Sequence, residues 1–252
     1  MPARLFVPQA LSAGLALDLP EGAARHVQVL RLQPGAAVTL FDGCGGQWSA
    51  ELLAMGRKHV SARVLAHWPV ECELARPVTL ALGMPANERM DSLVEKATEL
   101  GVTCIVPLVC ERSVLRVAGE RAERKAAHWQ AIAVAACEQS GRNRVPTVAP
   151  PLALKDWLAQ DAADAVPGLR ALLSFAAGAR PLRALLGSAA DDVGRALPLT
   201  LLSGPEGGLS EAEAALAEGR GFVPITLGPR TLRADTAPLA ALAGLCALEP
   251  MT

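Results

Sequence analysis

One stretch constrains this chain more than any other: Leu199-Thr200-Leu201-Leu202-Ser203-Gly204-Pro205-Glu206-Gly207-Gly208-Leu209-Ser210-Glu211-Ala212-Glu213. Its apolar opening reads as a buried strand that stops at Gly204. Gly207 and Gly208 permit positive φ and close approach of backbone to a ligand. Ser210 and Glu213 have the spacing of a capping box, so a helix is expected just past the glycines. Strand, glycine loop and helix start in that order put the loop at the carboxyl end of a strand, where open α/β sheets bind ligands. No Gly-Lys-Ser/Thr follows and GxGxxG is absent, so neither common phosphate fingerprint applies. An ordinary tight turn is the plainer reading, but Gly-Pro-Glu-Gly-Gly is more than such a turn needs.

A second segment repeats the logic. Thr226-Leu227-Gly228-Pro229-Arg230-Thr231-Leu232-Arg233-Ala234-Asp235-Thr236-Ala237 runs from a strand into Gly-Pro and then into a helix. Asp235 or Thr236 suits the N-cap. Arg230 and Arg233 put two fixed cations beside a helix N-terminus, a place for an anionic group if they are more than surface arginines. In a third segment, Glu138 to Pro146, a helix ends at Gly141 and leaves Arg142 and Arg144 beside Gln139 and Asn143. A partner for the helix dipole and an RNA contact explain it equally well.

The rest of the chain falls into two textures. Up to about residue 70 it reads as short strands and turns, a small β-barrel or sandwich. Val38–Phe41 stops at the turn dipeptide Asp42-Gly43, Trp48–Leu52 is placed to pair back, and Val60–Val64 alternates. Residues 23–32 read as a short helical insertion. From about Arg76, apolar runs alternate with helical patterns, as in an α/β domain with parallel strands. Strands are expected at 78–82, 103–109, 171–175, 199–202 and 222–227. Helices are expected at 88–100, 121–140, near 154–159 and at 237–248. Gly101 suits the end of the first of these helices.

Composition closes off several classes. Hydrophobic residues make up 51% and charged residues 19%, which builds a core rather than a disordered chain. A net charge of −1 excludes wrapping in nucleic acid by bulk charge and leaves room for a local basic face. Tyr is absent, which disfavours extensive aromatic stacking platforms. No apolar run is long enough for a spanning helix, and the N-terminus shows no secretion pattern, so no membrane role and a cytoplasmic location are expected. The six cysteines lack any CxxC and read as buried free thiols, with zinc the lesser alternative. No metal is expected. Cys/His and Ser/His pairings cannot be argued from the spacing of His26, His59, His67 and His128, and His128 reads as a helix-surface residue.

The Gly-Pro-Glu-Gly-Gly-Leu-Ser and Leu-Gly-Pro-Arg-Thr-Leu-Arg-Ala-Asp-Thr-Ala segments resemble those of the small-subunit (16S) ribosomal RNA uridine-N3 methyltransferases, a family of the SPOUT class. Arg89-Met90-Asp91, Lys96 to Val102, Glu111-Arg112-Ser113 and Ala136 to Arg142 fit as well, as do His26 to Leu32 and Leu40-Phe41-Asp42-Gly43. The likeness spans nearly the whole chain. It departs at Ala234-Asp235, where the family usually has Thr-Glu, and carries little pattern over 150–198.

The resemblance implies a PUA-like, RNA-binding β-barrel at 1–72 and a SPOUT-type trefoil-knotted α/β methyltransferase domain at 76–252. It implies S-adenosyl-L-methionine as cofactor, a homodimer, and 16S ribosomal RNA as partner, within the small subunit. Carried onto this chain, the cofactor-binding residues are Leu173, Ser174, Ser203, Gly204, Pro205, Glu206, Gly207, Leu227, Gly228, Leu232 and Thr236. The N3–H of uridine is a poor nucleophile until its proton leaves, so the site must take that proton or stabilise the anion spread over O2 and O4. Arg233 is the first candidate for the electrostatic role and Arg230 the second. Glu206 or Asp235 can accept the proton, or either can be a cap. Arg4, Arg31, Arg112, Arg142 and Arg144 are expected to meet RNA. The apolar final helix, with Leu239, Leu242, Leu245 and Cys246, is expected at the dimer interface unless it is plain core. The competing functions are a non-catalytic RNA-binding assembly factor and a SPOUT enzyme acting on another RNA.

Overall fold

The computed structural model describes residues 2–56, 59–163, 167–186 and 196–248. The chain divides into two compact units, Met1–Glu73 with Val134–Val145, and Leu74–Ala133 with Pro146–Thr252.

The first unit holds β1 (Ala3–Phe6), β2 (Ala16–Asp18), α1 (Glu21–Val29), β3 (Ala37–Phe41), β4 (Gln47–Met55) and β5 (Val60–Trp68). They form one five-stranded sheet in the order β1-β3-β4-β5-β2, antiparallel except for β1 against β3. Alternation sets its buried face: Val60, Ala62 and Val64 point inward with Leu5, Leu40, Leu52 and Val27 of α1. The β3–β4 turn is longer than the Asp42-Gly43 dipeptide alone requires. Asp42 Oδ1 accepts the Cys44 N–H at 2.9 Å, and the chain re-enters the sheet only at Gln47. Segment 134–145 belongs here through polar contacts. Glu138 Oε1 accepts the Phe6 N–H at 2.9 Å, and Arg4 donates to Asn143 Oδ1 at 2.7 Å.

The second unit holds β6 (Val78–Gly83), α2 (Asn87–Glu99), β7 (Cys104–Val109), most of α3 (Glu120–Ser140), β8 (Thr147–Val148), β9 (Leu152–Ala153), α4 (Leu154–Ala163), β10 (Leu169–Leu173), β11 (Arg180–Pro181), α5 (Leu182–Leu186), β12 (Leu199–Ser203), α6 (Glu211–Glu218), β13 (Val223–Thr226) and α7 (Thr236–Leu248). The strands form an all-parallel sheet, ordered β11-β13-β10-β12-β6-β7-β8, with β9 beside β7. Both faces are covered, as continuous apolar strands require. Leu80, Leu82, Ile105 and Leu201 pack with Met90, Leu93, Trp129 and Leu242. Ala81, Val106, Leu172 and Leu202 pack with Leu154, Trp157, Leu158 and Phe222 on the opposite side.

Helix α2 ends where expected, with Gly101 at φ +88°. The final helix corrects the interface expectation in part. Leu242 and Leu245 are fully buried in this chain's own core, and Cys246 donates to the Leu100 carbonyl. The cysteines also differ from the buried expectation: only Cys110 and Cys137 are buried, Cys104 and Cys246 are half-buried, and Cys44 and Cys72 are exposed; all six are free thiols. Among the described residues, no helix is long and apolar enough to cross a membrane.

Candidate active site

Strands β13, β10 and β12 are neighbours and parallel, so the loops leaving their carboxyl ends emerge along one edge of the sheet. Together these loops line a cavity of about 420 Å³. Leu173, Ser174, Ser203, Gly204, Pro205, Glu206, Gly207, Leu227, Gly228 and Leu232 all line it, with Arg230 at its wall. Thr236 and Arg233 are not among the lining residues. Thr236 lines a separate groove between α2 and α7, and Arg233 is exposed beside the start of α7, where its carbonyl accepts the Thr236 and Ala237 N–H groups.

The Ser203–Glu213 segment is held at many points. The capping box is complete: Ser210 Oγ accepts the Glu213 N–H and Glu213 Oε2 accepts the Ser210 N–H at 2.9 Å. The other carboxylate oxygen of Glu213 accepts the Glu111 N–H at 2.8 Å. Arg112 Nη1 donates to the carbonyls of Gly207, 3.1 Å, and Leu209, 3.3 Å. Glu206 Oε1 accepts the Ala86 N–H at 3.2 Å and faces Arg89 at 3.4 Å. A side chain at Gly204 would put its Cβ 2.8 Å from the Leu209 nitrogen, so only glycine lets the loop close this tightly. At Gly207 the crowding comes from Arg112 rather than from the cavity alone, because a Cβ there would lie 3.0 Å from the Arg112 Cβ.

The Thr226–Thr236 segment is held lightly. Thr226 Oγ1 accepts the Gly228 N–H at 3.2 Å, and Gly228 sits at φ +113°, a conformation that favours glycine. Arg230 and Arg233 are exposed, and the guanidinium of neither has a hydrogen-bond or ion-pair partner among the described residues. Cations so placed are available to an incoming anion. Asp235 directly precedes α7, and its Oδ1 lies 3.5 Å from Thr236 Oγ1.

The arginines expected to meet RNA have different surroundings. Arg142 is corrected: its side chain is 2% exposed and forks onto Glu73, with Nε to Oε1 at 3.0 Å and Nη2 to Oε2 at 2.5 Å. A guanidinium buried in a carboxylate fork cannot reach a phosphate. Arg4 is largely engaged too, by Gln47, Asn143 and the Arg142 carbonyl, and lies over the Phe41 ring. Arg112 turns its charge onto the loop carbonyls. Arg31 and Arg144 are exposed, Arg144 with Glu71 at 3.2 Å.

Two further groups bear on the chemistry. Burial, with the Glu213 carboxylate nearby, pushes the Cys110 thiol up to about 12, so it remains a neutral thiol and no nucleophile at neutral pH. His128 lies outside the cavity, half-exposed, with Nε2 2.9 Å from Asp91 Oδ2, while Trp129 Nε1 donates to Asp91 Oδ1. Sequence reasoning missed the Arg112 clamp and the exposed Phe175 on the cavity rim. The clamp joins residues some 95 positions apart and leaves no local pattern.

Fold and cavity define an open parallel α/β protein with a ligand site at a sheet edge, joined to a smaller unit with a largely antiparallel sheet. The family model of the RNA methyltransferase domain matches residues 72–245, and that of the RNA methyltransferase PUA domain matches 19–65. The ribosomal RNA small subunit methyltransferase E of Synechocystis is 38% identical, covering 88% of this chain and 69% of its own length. That of Bacillus subtilis is 31% identical over 87% of this chain and 84% of its own. The crystal structure of the Neisseria gonorrhoeae ribosomal RNA small subunit methyltransferase E bound to S-adenosyl methionine superposes with a TM-score of 0.86 at 35% identity, covering 99% of this chain and 98% of that one. The chain belongs to this RNA methyltransferase family.

Proposed function

We propose that this protein methylates N3 of a uridine in 16S ribosomal RNA, with S-adenosyl-L-methionine as the methyl donor. The observation that carries the reading is the convergence of the three strand-end loops on one cavity in a chain 38% identical to a ribosomal RNA small subunit methyltransferase. The cavity suits the donor. It is sized for a nucleoside-type ligand, and its glycines and loop backbone admit an adenine edge and a ribose, which need close approach more than charge. Leu173, Ser174, Ser203 to Gly207, Leu227, Gly228 and Leu232 would hold it. When bound, the donor supplies an electrophilic methyl group on a sulfonium.

The chain's own task is the uracil. Removing the N3 proton leaves a negative charge shared by O2 and O4; Arg233, whose guanidinium is exposed and unpartnered among the described residues, and Arg230, at the cavity wall, are the candidates to stabilise it. Glu206 is already tied to Ala86 and Arg89, so it positions its loop. Asp235, two residues past Arg233 and on the wall of the α2–α7 groove, is then the remaining candidate to accept the proton. Arg31 and Arg144 are the exposed cations for RNA phosphates in the first unit.

The domain reading follows the same line: an RNA-binding, PUA-like barrel at 1–72 and a SPOUT-type knotted methyltransferase domain at 76–252, acting in the cytoplasm on the small subunit. A homodimer through the methyltransferase domain would use the open side of α7, where Ala243 and Leu248 are exposed, since the opposite side is core. Light scattering at micromolar concentration tests it: twice the chain mass is expected, and a monomeric mass refutes it.

Mass mapping of 16S ribosomal RNA from a strain lacking the gene tests the main reading. One N3-methyluridine should vanish and return with the gene. An unchanged modification map contradicts it.

A further inference from the structure

Phe175 follows β10 at the cavity mouth and is the only aromatic side chain among the described residues that line the cavity. The chain has four Phe, four Trp and no Tyr. Of these rings only Phe175, at 68%, and Trp68, at 55%, are mainly exposed; Trp68 lies in the first unit. A single exposed apolar residue usually means nothing. Here two observations set it apart. The ring borders a cavity built by three loops, and the short loop carrying it is fixed on both sides. Ser174 N–H donates to the Ile225 carbonyl at 2.9 Å, Ser174 Oγ accepts the Ala176 N–H at 3.0 Å, and a turn closes from Ala179 N–H to the Ala176 carbonyl at 3.1 Å. The backbone on both sides of the ring is therefore ordered before any ligand arrives.

We propose that Phe175 is the stacking platform for the nucleobase that receives the methyl group, a positioning residue for the target uridine. The inference rests on the functional reading above and goes beyond it. A neutral uracil offers no charge to a binding site before its proton leaves, so its π face and its polar edges are the only handles. A base that reacts at N3 must leave its pair and its stack, and an aromatic surface replaces the stacking it loses. The backbone-lined interior is matched to the donor, and the solvent-facing ring at the mouth is matched to what enters from outside. With aromatic side chains so scarce, no second ring on the described lining shares the task.

The test uses the full protein and small subunits from a strain lacking the gene. Donor affinity is measured by calorimetry, and N3-methyluridine formation by nucleoside mass spectrometry. Phe175 is exposed, so Phe175→Ala, Phe175→Leu and Phe175→Trp should all fold. The Ala and Leu variants should lose about tenfold or more in kcat/KM, mainly through the KM for RNA, with donor affinity within about twofold of wild type. Phe175→Trp should stay near wild type, because the π face and not the bulk is what counts. Wild-type kcat/KM in the Leu variant overturns the proposal. So does a loss of donor affinity that matches the loss in kcat/KM, which would assign the ring to the adenine. A wild-type protein that binds the donor but makes no N3-methyluridine overturns the functional reading, and this inference with it.

Discussion

The two Gly-Pro loops of the cavity obey the same sequence logic and are held in opposite ways. Around Gly204-Pro205, Arg112, Glu206 and Glu213 all direct their charges onto the protein itself, onto loop carbonyls, Arg89 and backbone N–H groups. Around Gly228-Pro229, the charges of Arg230 and Arg233 meet no partner among the described residues, and one threonine hydroxyl steadies the turn. A pinned loop is preorganised, so a ligand bound there costs little further ordering. An open pair of cations keeps its charge for the moment a negative charge appears. Both loops line the cavity proposed for the donor, and the unpartnered charges of Arg230 and Arg233 are confined to the second. The arginines of the first unit divide by burial, into Arg142, buried in its fork on Glu73, and Arg144, exposed and paired at the surface with Glu71.

Breaking each member of these pairs should give a different signature. The largest effect is expected at Arg142. Arg142→Ala leaves Glu73 without its fork partner inside a buried site and should cost about 3–5 kcal/mol in chemical denaturation. It should leave the salt dependence of RNA binding unchanged, while Arg144→Ala should make the log–log slope shallower by about 0.7–0.9, the share of one phosphate. An Arg142 variant that is stable but binds RNA with a shallower slope reverses the two roles.

Next comes Arg233. If it stabilises the anionic uracil, Arg233→Lys should cut single-turnover methylation at saturating RNA about 100-fold or more, because Lys keeps the charge but loses the planar fork. Donor affinity should not change. A wild-type rate with weaker RNA binding moves Arg233 to phosphate positioning.

Arg112 should show the reverse pattern. Arg112→Ala frees the Gly207 and Leu209 carbonyls and should weaken donor binding about tenfold, the loss of about one net hydrogen bond to a charged group. Calorimetry without RNA checks it, and an unchanged affinity would mean the clamp is idle.

The smallest expected effect is at Ser210. Ser210→Ala removes half of the capping box and should cost about 1 kcal/mol of stability, read as a shift in the denaturation midpoint. No shift would mean that the Glu111 contact alone fixes the start of α6.

How far the sequence reveals this follows from the range of each interaction. The Ser210–Glu213 box is legible because both partners lie one helical turn apart. Gly101 and the β3–β4 hairpin are legible for the same reason, each being set by neighbours within a few residues. The parallel strands show as apolar runs, since both their faces are buried. The two-residue strands β8, β9 and β11 are not legible, because they exist only through partners already in place. Nor is the burial of Arg142, whose fork partner lies 69 residues away. The charge of an arginine is visible in sequence, and whether that charge is already paired is not. Ten of the eleven cofactor residues that the family resemblance implies line one cavity, in the loops that leave β10, β12 and β13; Thr236 falls outside because it lies on the helix itself.

The most direct test of the proposed activity is in vitro methylation of unmodified small subunits by the purified protein, with isotope-labelled methyl donor and nucleoside mass spectrometry. One labelled N3-methyluridine per 16S ribosomal RNA, and no label elsewhere, is the predicted result. Label on a ribose, on another base or on no nucleoside at all, from a protein that binds the donor, would contradict it.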